Sequence, residues 1–111
     1  MPYTVPESDW KVFRELREVA LQRFCERVLG ELLPLTQDHS RSPHERYLAV
    51  FRLVRERDEQ LANAFNDPAR SRMILQLATI RTLGILSPSE LERFTQETRS
   101  ILELLVKDSS R

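Results

Sequence analysis

Apolar side chains recur along this chain at the spacing of an α-helix. The clearest stripes consist of Trp10, Phe13, Leu16, Ala20, Phe24 and Val28, and of Tyr47, Val50, Phe51, Val54, Leu61, Ala62 and Phe65. Residues three and four positions apart share one face of a helix, so each stripe predicts an amphipathic helix. The whole pattern predicts four helices, near residues 9–33, 43–65, 68–83 and 88–106, and no segment has the alternation of a strand.

Helix-start signals support these boundaries. Ser42-Pro43-His44-Glu45 and Ser87-Pro88-Ser89-Glu90 each place a glutamate three residues after a serine, with proline at the first helical position. This is the sequence of a capping box. We expect Ser8 or Asp9 to cap the first helix and Asp67 to cap the third, because their side chains can accept hydrogen bonds from free N–H groups.

The predicted architecture is all-α. Residues 1–111 are expected to form a single domain in which residues 1–7 and 107–111 are frayed. The connections are short, so neighbouring helices should run antiparallel in a compact four-helix arrangement. The third helix is apolar around most of its circumference, which predicts that it lies at the centre.

Two charged residues interrupt the apolar stripes. Arg17 lies within the stripe of the first helix and Asp58 within that of the second. If the hairpin bends near residue 38, the two stand at nearly the same height, which predicts a buried or half-buried ion pair that fixes the register of the helices. The alternative is a small polar pocket for a ligand, to which Arg81 of the third helix also contributes.

The fourth predicted helix has the most regular stripe. Leu91, Phe94, Thr98, Ile101 and Leu105 follow the alternating three- and four-residue spacing of heptad a and d positions. This spacing is typical of the inward-facing seam of a bundle and also of a helix face presented to a second copy of the chain. The seam is the simpler interpretation, and the interface is retained as the alternative.

Composition narrows the class of protein. The 111 residues include 17 basic and 17 acidic side chains, so no overall field attracts nucleic acid or an anionic membrane. Only two glycines are present, which disfavours phosphate-cradling loops, and one of them, Gly84, is expected to end the third helix. The single cysteine, Cys25, cannot form an internal disulfide, and no apolar run approaches the ~20 residues of a membrane span. A cytoplasmic location is therefore expected.

Catalytic and metal-binding patterns are scarce. His39 and His44 lie on either side of a helix start at a spacing unlike that of metal ligands, and no second cluster supplies further ligands. Cys25 lies at the edge of an apolar stripe, as a small buried hydrophobic residue would. We therefore expect no metal, no cofactor and no enzymatic activity.

Residues 69–106 have the outline of a helix-turn-helix, in which the fourth helix would be the reading helix. Its first turns carry Ser89, Glu90, Glu92, Arg93 and Gln96, an acidic face that would repel phosphate. A nucleic-acid partner is therefore kept only as an alternative function.

Three segments resemble parts of short, uncharacterised all-helical bacterial proteins. They are Ser8 to Arg17, the Arg57-Asp58-Glu59 stretch and the turn from Leu83 to Ser87. The resemblance spans nearly the whole chain and implies a bacterial source and a helical fold. It implies no activity and no site residues.

The expected function is a small helical module for protein–protein contact. An exposed part of an apolar stripe would pack against a helix or groove of the partner. A homodimer is the simplest version, because surplus apolar surface can be buried against a second copy. The alternatives are the helix-turn-helix binder and the ligand pocket at Arg17, Asp58 and Arg81.

Overall fold

A computed structural model describes residues 3–109, which form five helices and no strand. The helices are α1 (Glu7–Thr36), α2 (Pro43–Phe65), α3 (Met73–Thr82), α4 (Pro88–Leu91) and α5 (Gln96–Ser109). A single 3₁₀ turn, Arg70–Arg72, precedes α3. The all-α prediction is confirmed, and both predicted capping boxes are present at the starts of α2 and α4.

The third helix begins later than predicted. Asp67 has a positive φ of 50°, so it does not cap a helix that starts at Pro68. A residue before proline avoids the right-handed helical region, and aspartate tolerates the left-handed one. The chain therefore turns at Asp67 and becomes α-helical only at Met73.

The predicted fourth helix is two helices. Residues 92–95 are not helical, and α5 starts immediately after Thr95. The hydroxyl of Thr95 accepts a hydrogen bond from the backbone N–H of Thr98 at 3.4 Å, as an N-cap residue does. Phe94, in the break, is almost completely buried, so the bend turns this ring into the core.

The segment before α1 is packed, so the expectation of a frayed N-terminus is wrong for residues 3–7. Val5 is buried, and its carbonyl accepts two hydrogen bonds from Arg70 at 3.2 and 2.8 Å. The phenol of Tyr3 is hydrogen-bonded to the hydroxyl of Thr98. At the other end α5 continues to Ser109, and residues 1, 2, 110 and 111 of the predicted frayed ends lie outside the described residues.

The core lies around α3, as predicted. This helix packs against α1, α2 and α5. The buried apolar side chains are Val5, Phe13, Leu16, Ala20, Phe24, Ala64, Phe65, Met73, Leu77, Ile80, Ile85, Phe94 and Leu102. They come from Val5, from α1 up to Phe24, from the last residues of α2 and from the chain that follows.

The far half of the α1–α2 hairpin extends beyond this core. The molecule measures 58 × 28 × 24 Å. Its radius of gyration is 16.9 Å, whereas a compact domain of this length has about 13 Å. No residue from Cys25 to Asn63 is fully buried. We call residues 28–58 the distal hairpin, and within the described chain its two helices pack mainly against each other.

The two glycines allow a matched test of backbone conformation. Gly84 follows α3 at a φ of 71°, whereas Gly30 lies within α1, and a Cβ at either position would meet open space. Gly84→Ala should lower the free energy of unfolding by about 1 kcal/mol, because only the strained φ opposes the methyl group. Gly30→Ala should raise it by roughly 0.5–1 kcal/mol, since alanine is the better helix former. Urea denaturation measures both, and a neutral Gly84→Ala would contradict the left-handed turn.

Candidate interaction surface

Two arginines of α1 bind carbonyl oxygens at the ends of other helices. Arg17 donates to the carbonyl of Phe65, the last residue of α2, from Nε at 3.1 Å and from Nη2 at 2.5 Å. Arg27 donates from Nη1 to the carbonyl of Leu83, directly after α3, at 2.6 Å. The last carbonyls of a helix have no intrahelical partner and carry partial negative charge. These bonds therefore hold the C-terminal ends of α2 and α3 against α1.

A carboxylate of α1 accepts hydrogen bonds from donors at the start of α5. Asp9 is 1% exposed. Its Oδ1 accepts from the backbone N–H of Thr95 at 2.8 Å, and its Oδ2 accepts from the hydroxyls of Thr95 and Thr98 at 2.7 and 2.6 Å. The prediction that Ser8 or Asp9 caps α1 is wrong, because no side chain caps that helix. Asp9 instead caps α5, at the positive end of its dipole.

The three residues predicted to form an interior polar cluster are separated in the structure. Arg17 is half-buried on the carbonyl of Phe65, and Asp58 is exposed on the distal hairpin. Arg81 forms an ion pair with Glu103 of α5 at 2.8 Å and lines an open cleft beside that helix. No hydrogen bond or ion pair joins Arg17 to Asp58 in the described chain, so the predicted pair is wrong and the three share no pocket.

The register of the hairpin explains this error. The helix α1 continues through Pro34 to Thr36, so the midpoint between the two helices lies between residues 39 and 40 instead of near residue 38. The side chain of Arg17 therefore bonds to the carbonyl of Phe65, which is farther from the bend than Asp58 is. Arg57, next to Asp58, pairs with Glu31 at 2.8 Å. Asp58 is seven residues from Phe65, about 10 Å along the helix axis.

The predicted interface stripe faces inward. Leu91, Phe94, Thr98, Ile101 and Leu105 do not share one helix, because α4 ends at Leu91. Phe94 and Thr98 are buried and the other three are partly buried. The bundle-seam interpretation therefore describes these residues, and the interpretation as an exposed interface is corrected.

The same break affects the helix-turn-helix outline. Its second element, α4, has four residues and then the chain turns. A recognition helix normally lies along the major groove over several turns. The helix α4 is therefore too short to be the reading helix, and Glu90 at its start is already bonded to Arg23.

Five of the eight exposed large apolar side chains of the described chain lie on the distal hairpin. These five, exposed by 44–66%, are Leu29, Leu33, Tyr47, Phe51 and Val54. Leu29 and Leu33 belong to α1, and Tyr47, Phe51 and Val54 belong to α2. Within each of these two sets the spacing is three or four residues, so each set occupies one face of its helix. Leu29 and Val54 also line a common groove between the helices, which places both sets on the same side of the hairpin. We call these five residues the hairpin face.

The groove within this surface is shallow and almost entirely apolar. Its volume is about 240 Å³, and it is lined by Phe24, Cys25, Val28, Leu29, Leu32, Val54, Arg57, Asp58 and Leu61. Drug-sized ligands usually occupy roughly 300–1,000 Å³ of enclosed space. Contact with another helix suits this groove better than capture of a small molecule.

The side of the hairpin towards α3 is polar, and Arg57 lies between this side and the groove. Arg57 donates to Glu31 from Nη2 at 2.8 Å and from Nε at 3.2 Å, beside Thr82 and Leu83. The hydrogen bond from Arg57 lowers the pKa of the Glu31 carboxyl, and the same contact raises the pKa of Arg57. The hairpin is thus ion-paired towards α3 and apolar on its other side.

Among the described residues, no group of three or more His, Cys, Asp and Glu side chains could hold a metal ion. Within that same part of the chain, every helix is too short or too polar to cross a bilayer.

Sequence reasoning missed the hairpin face, although its signal was present. Tyr47, Phe51 and Val54 were assigned to the inner face of the second helix, and nothing in the sequence shows that the bundle ends before reaching them.

Comparison with protein-family models, with curated proteins and with solved structures finds no match to this chain.

Two aspartates give opposite expectations for stability. Asp9→Ala should lower the free energy of unfolding by about 2–3 kcal/mol, because it leaves buried donors of Thr95 and Thr98 without an acceptor. Asp58→Ala should change it by less than about 0.5 kcal/mol, since Asp58 is exposed. Thermal or urea denaturation of dilute protein measures both, and the reverse order would restore the predicted Arg17–Asp58 pair.

Acid sensitivity should depend on Glu90. Hydrogen bonds from Arg23 and from the backbone of Ser87 lower the pKa of Glu90 from 4.5 to about 2. Because the pKa is lowered in the folded state, the stabilisation is complete above pH 4.5 and is lost as the pH falls towards 2. Glu90→Gln should flatten the pH dependence of unfolding in this window.

A titration of the carboxyl signal by NMR provides the control. In Arg23→Gln the pKa of Glu90 should rise part of the way back towards 4.5, since the bond from Ser87 remains. An unchanged titration would show that Arg23 does not contact Glu90 in solution.

Proposed function

We propose that this protein is a helical protein–protein interaction module that binds through the hairpin face. One observation supports this proposal above all: within the described chain, five large apolar side chains of the distal hairpin are exposed together. An amphipathic helix ordinarily buries its apolar stripe against a further element. A partner protein would supply the missing layer.

The size of the surface supports the same proposal. Aromatic side chains bury about 150–250 Å² each and aliphatic ones somewhat less, so at exposures of 44–66% the five residues of the hairpin face present on the order of 500 Å² of apolar area. The largest apolar patch on a typical monomer is about 300–600 Å² and often marks an interaction site. The hairpin face lies in the upper part of that range.

The proposed mode of binding is helix-to-helix packing. Val28 and Leu32 line the groove, and the charged side chain of Asp58, which is exposed, also lines it. Apolar contact at the centre with charges at the rim is the usual arrangement of a protein interface.

Catalysis, metals and cofactors have no part in this proposal, because apolar packing requires none of them. A cytoplasmic location is part of it, since Cys25 has no second cysteine with which to form a disulfide. No observation favours the nucleic-acid alternative, and Arg17 and Arg27 are bonded to backbone carbonyls.

Site-specific photo-crosslinking in the native cell tests the proposal. A benzophenone analogue of phenylalanine replaces Phe51, which is 54% exposed, and in a control it replaces Leu104, which is 65% exposed on α5. We expect position 51 to give an adduct of defined mass, identified by mass spectrometry, at least tenfold above position 104. Equal labelling at the two positions would contradict an interaction site on the hairpin.

A further inference from the structure

The apolar seam of α2 is used for only half of its length. His44, Tyr47, Phe51, Val54, Asp58, Leu61 and Phe65 follow the alternating three- and four-residue spacing of a coiled-coil seam. The inner end is covered, since Phe65 is buried and Leu61 is partly buried. The outer residues Tyr47, Phe51 and Val54 are exposed by 66, 54 and 44%. The seam therefore continues past the core of its own molecule.

The exposed part contains an acceptor and a donor without partners. Within residues 3–109, the carboxylate of Asp58 forms no hydrogen bond or ion pair, and neither does the phenol of Tyr47. The two positions are eleven residues apart on one helix, about 16 Å, so they cannot meet within one chain.

We propose that the hairpin face binds a second copy of this chain, with the two α2 helices antiparallel; this inference rests on the proposed function. Core layers of an antiparallel coiled coil pair an a position with a d position of the other helix. With the two-fold axis between Phe51 and Val54, Phe51 of each copy packs on Val54 of the other. The next layer then places Tyr47 against Asp58 of the second copy, where the phenol donates to the carboxylate.

The same rotation brings the α1 helices together. The two-fold axis lies in the plane of the interface and perpendicular to the helices, so α1 packs over α1 of the second copy. Leu29 lines the groove that it shares with Val54, and so comes close to Leu29 of the second copy near the axis. The Arg57–Glu31 ion pair lies beside Thr82 and Leu83, at the end of α3. The product is a four-helix bundle made from two distal hairpins.

The available area agrees with a dimer of ordinary size. Stable interfaces bury about 800 Å² per partner, of which about 56–65% is apolar. This requires on the order of 500 Å² of apolar surface from each copy, which is what the hairpin face presents. Because a two-fold interface is self-complementary, the Tyr47–Asp58 contact forms twice.

A charge exchange tests the pairing in the purified full chain by sedimentation velocity over a concentration series. We expect the wild type to sediment with twice the 13.1 kDa mass of the chain at high micromolar concentration. Tyr47→Glu places like charges in both Tyr47–Asp58 layers and should weaken the dimer at least about tenfold. Adding Asp58→Arg makes each layer an opposite-charge pair and should restore the association constant to within threefold of wild type.

The control is Leu104→Glu, which introduces the same charge at a side chain of nearly equal exposure outside the hairpin face, 65% against 66% for Tyr47. It should leave the dimer unchanged, and circular dichroism should show the same helix content in all variants. A wild type that stays at 13.1 kDa, or a double variant that stays monomeric, overturns the second-copy inference. Crosslinking from position 51 to a different protein would in that case still support the proposed function, whereas absence of any adduct would remove both.

Discussion

The unsatisfied backbone groups at helix ends are the constraint on which this structure depends. Each helix leaves free N–H groups at its start and free carbonyls at its end, and buried ones need partners. Here α1 supplies several of those partners: Asp9 for the start of α5, Arg17 for the end of α2 and Arg27 for the turn after α3. The long first helix is therefore a scaffold that orients the shorter helices by their ends.

This arrangement also determines where the bundle stops. The capping side chains of α1 lie between Asp9 and Arg27, so the helices that they hold gather along that part of α1. Beyond Arg27 no residue of α1 is buried, and the hairpin is held by contacts such as Glu31–Arg57 on its polar side. The apolar side has no corresponding layer, which is why buried residues are absent from Cys25 to Asn63.

Local signals made the helices predictable, whereas distant contacts could not be read from the sequence. Ser42 and Glu45 lie three residues apart and satisfy each other, so their capping box is visible in the sequence. Asp9 and Thr95 are separated by 86 residues. An aspartate near a helix start fits a local cap equally well, and only the packing of α5 decides between the two. Arg17 was recognised as out of place in its stripe, but its acceptor is a backbone carbonyl, which has no signature in the sequence.

The seam of α2 could be predicted in part from local sequence spacing, and in part it depends on contacts between distant residues. Its spacing from His44 to Phe65 is regular, and regular spacing predicts an apolar face but not its partner. The tertiary structure divides this face, since Phe65 is covered by the chain's own core and Phe51 is not. Asp58 stands where the covered part meets the exposed part, so its charge costs little desolvation in the monomer. An acid at that position interrupts a seam that would otherwise be uniformly apolar, and it thereby restricts which helices, and which registers, can pack on the exposed half.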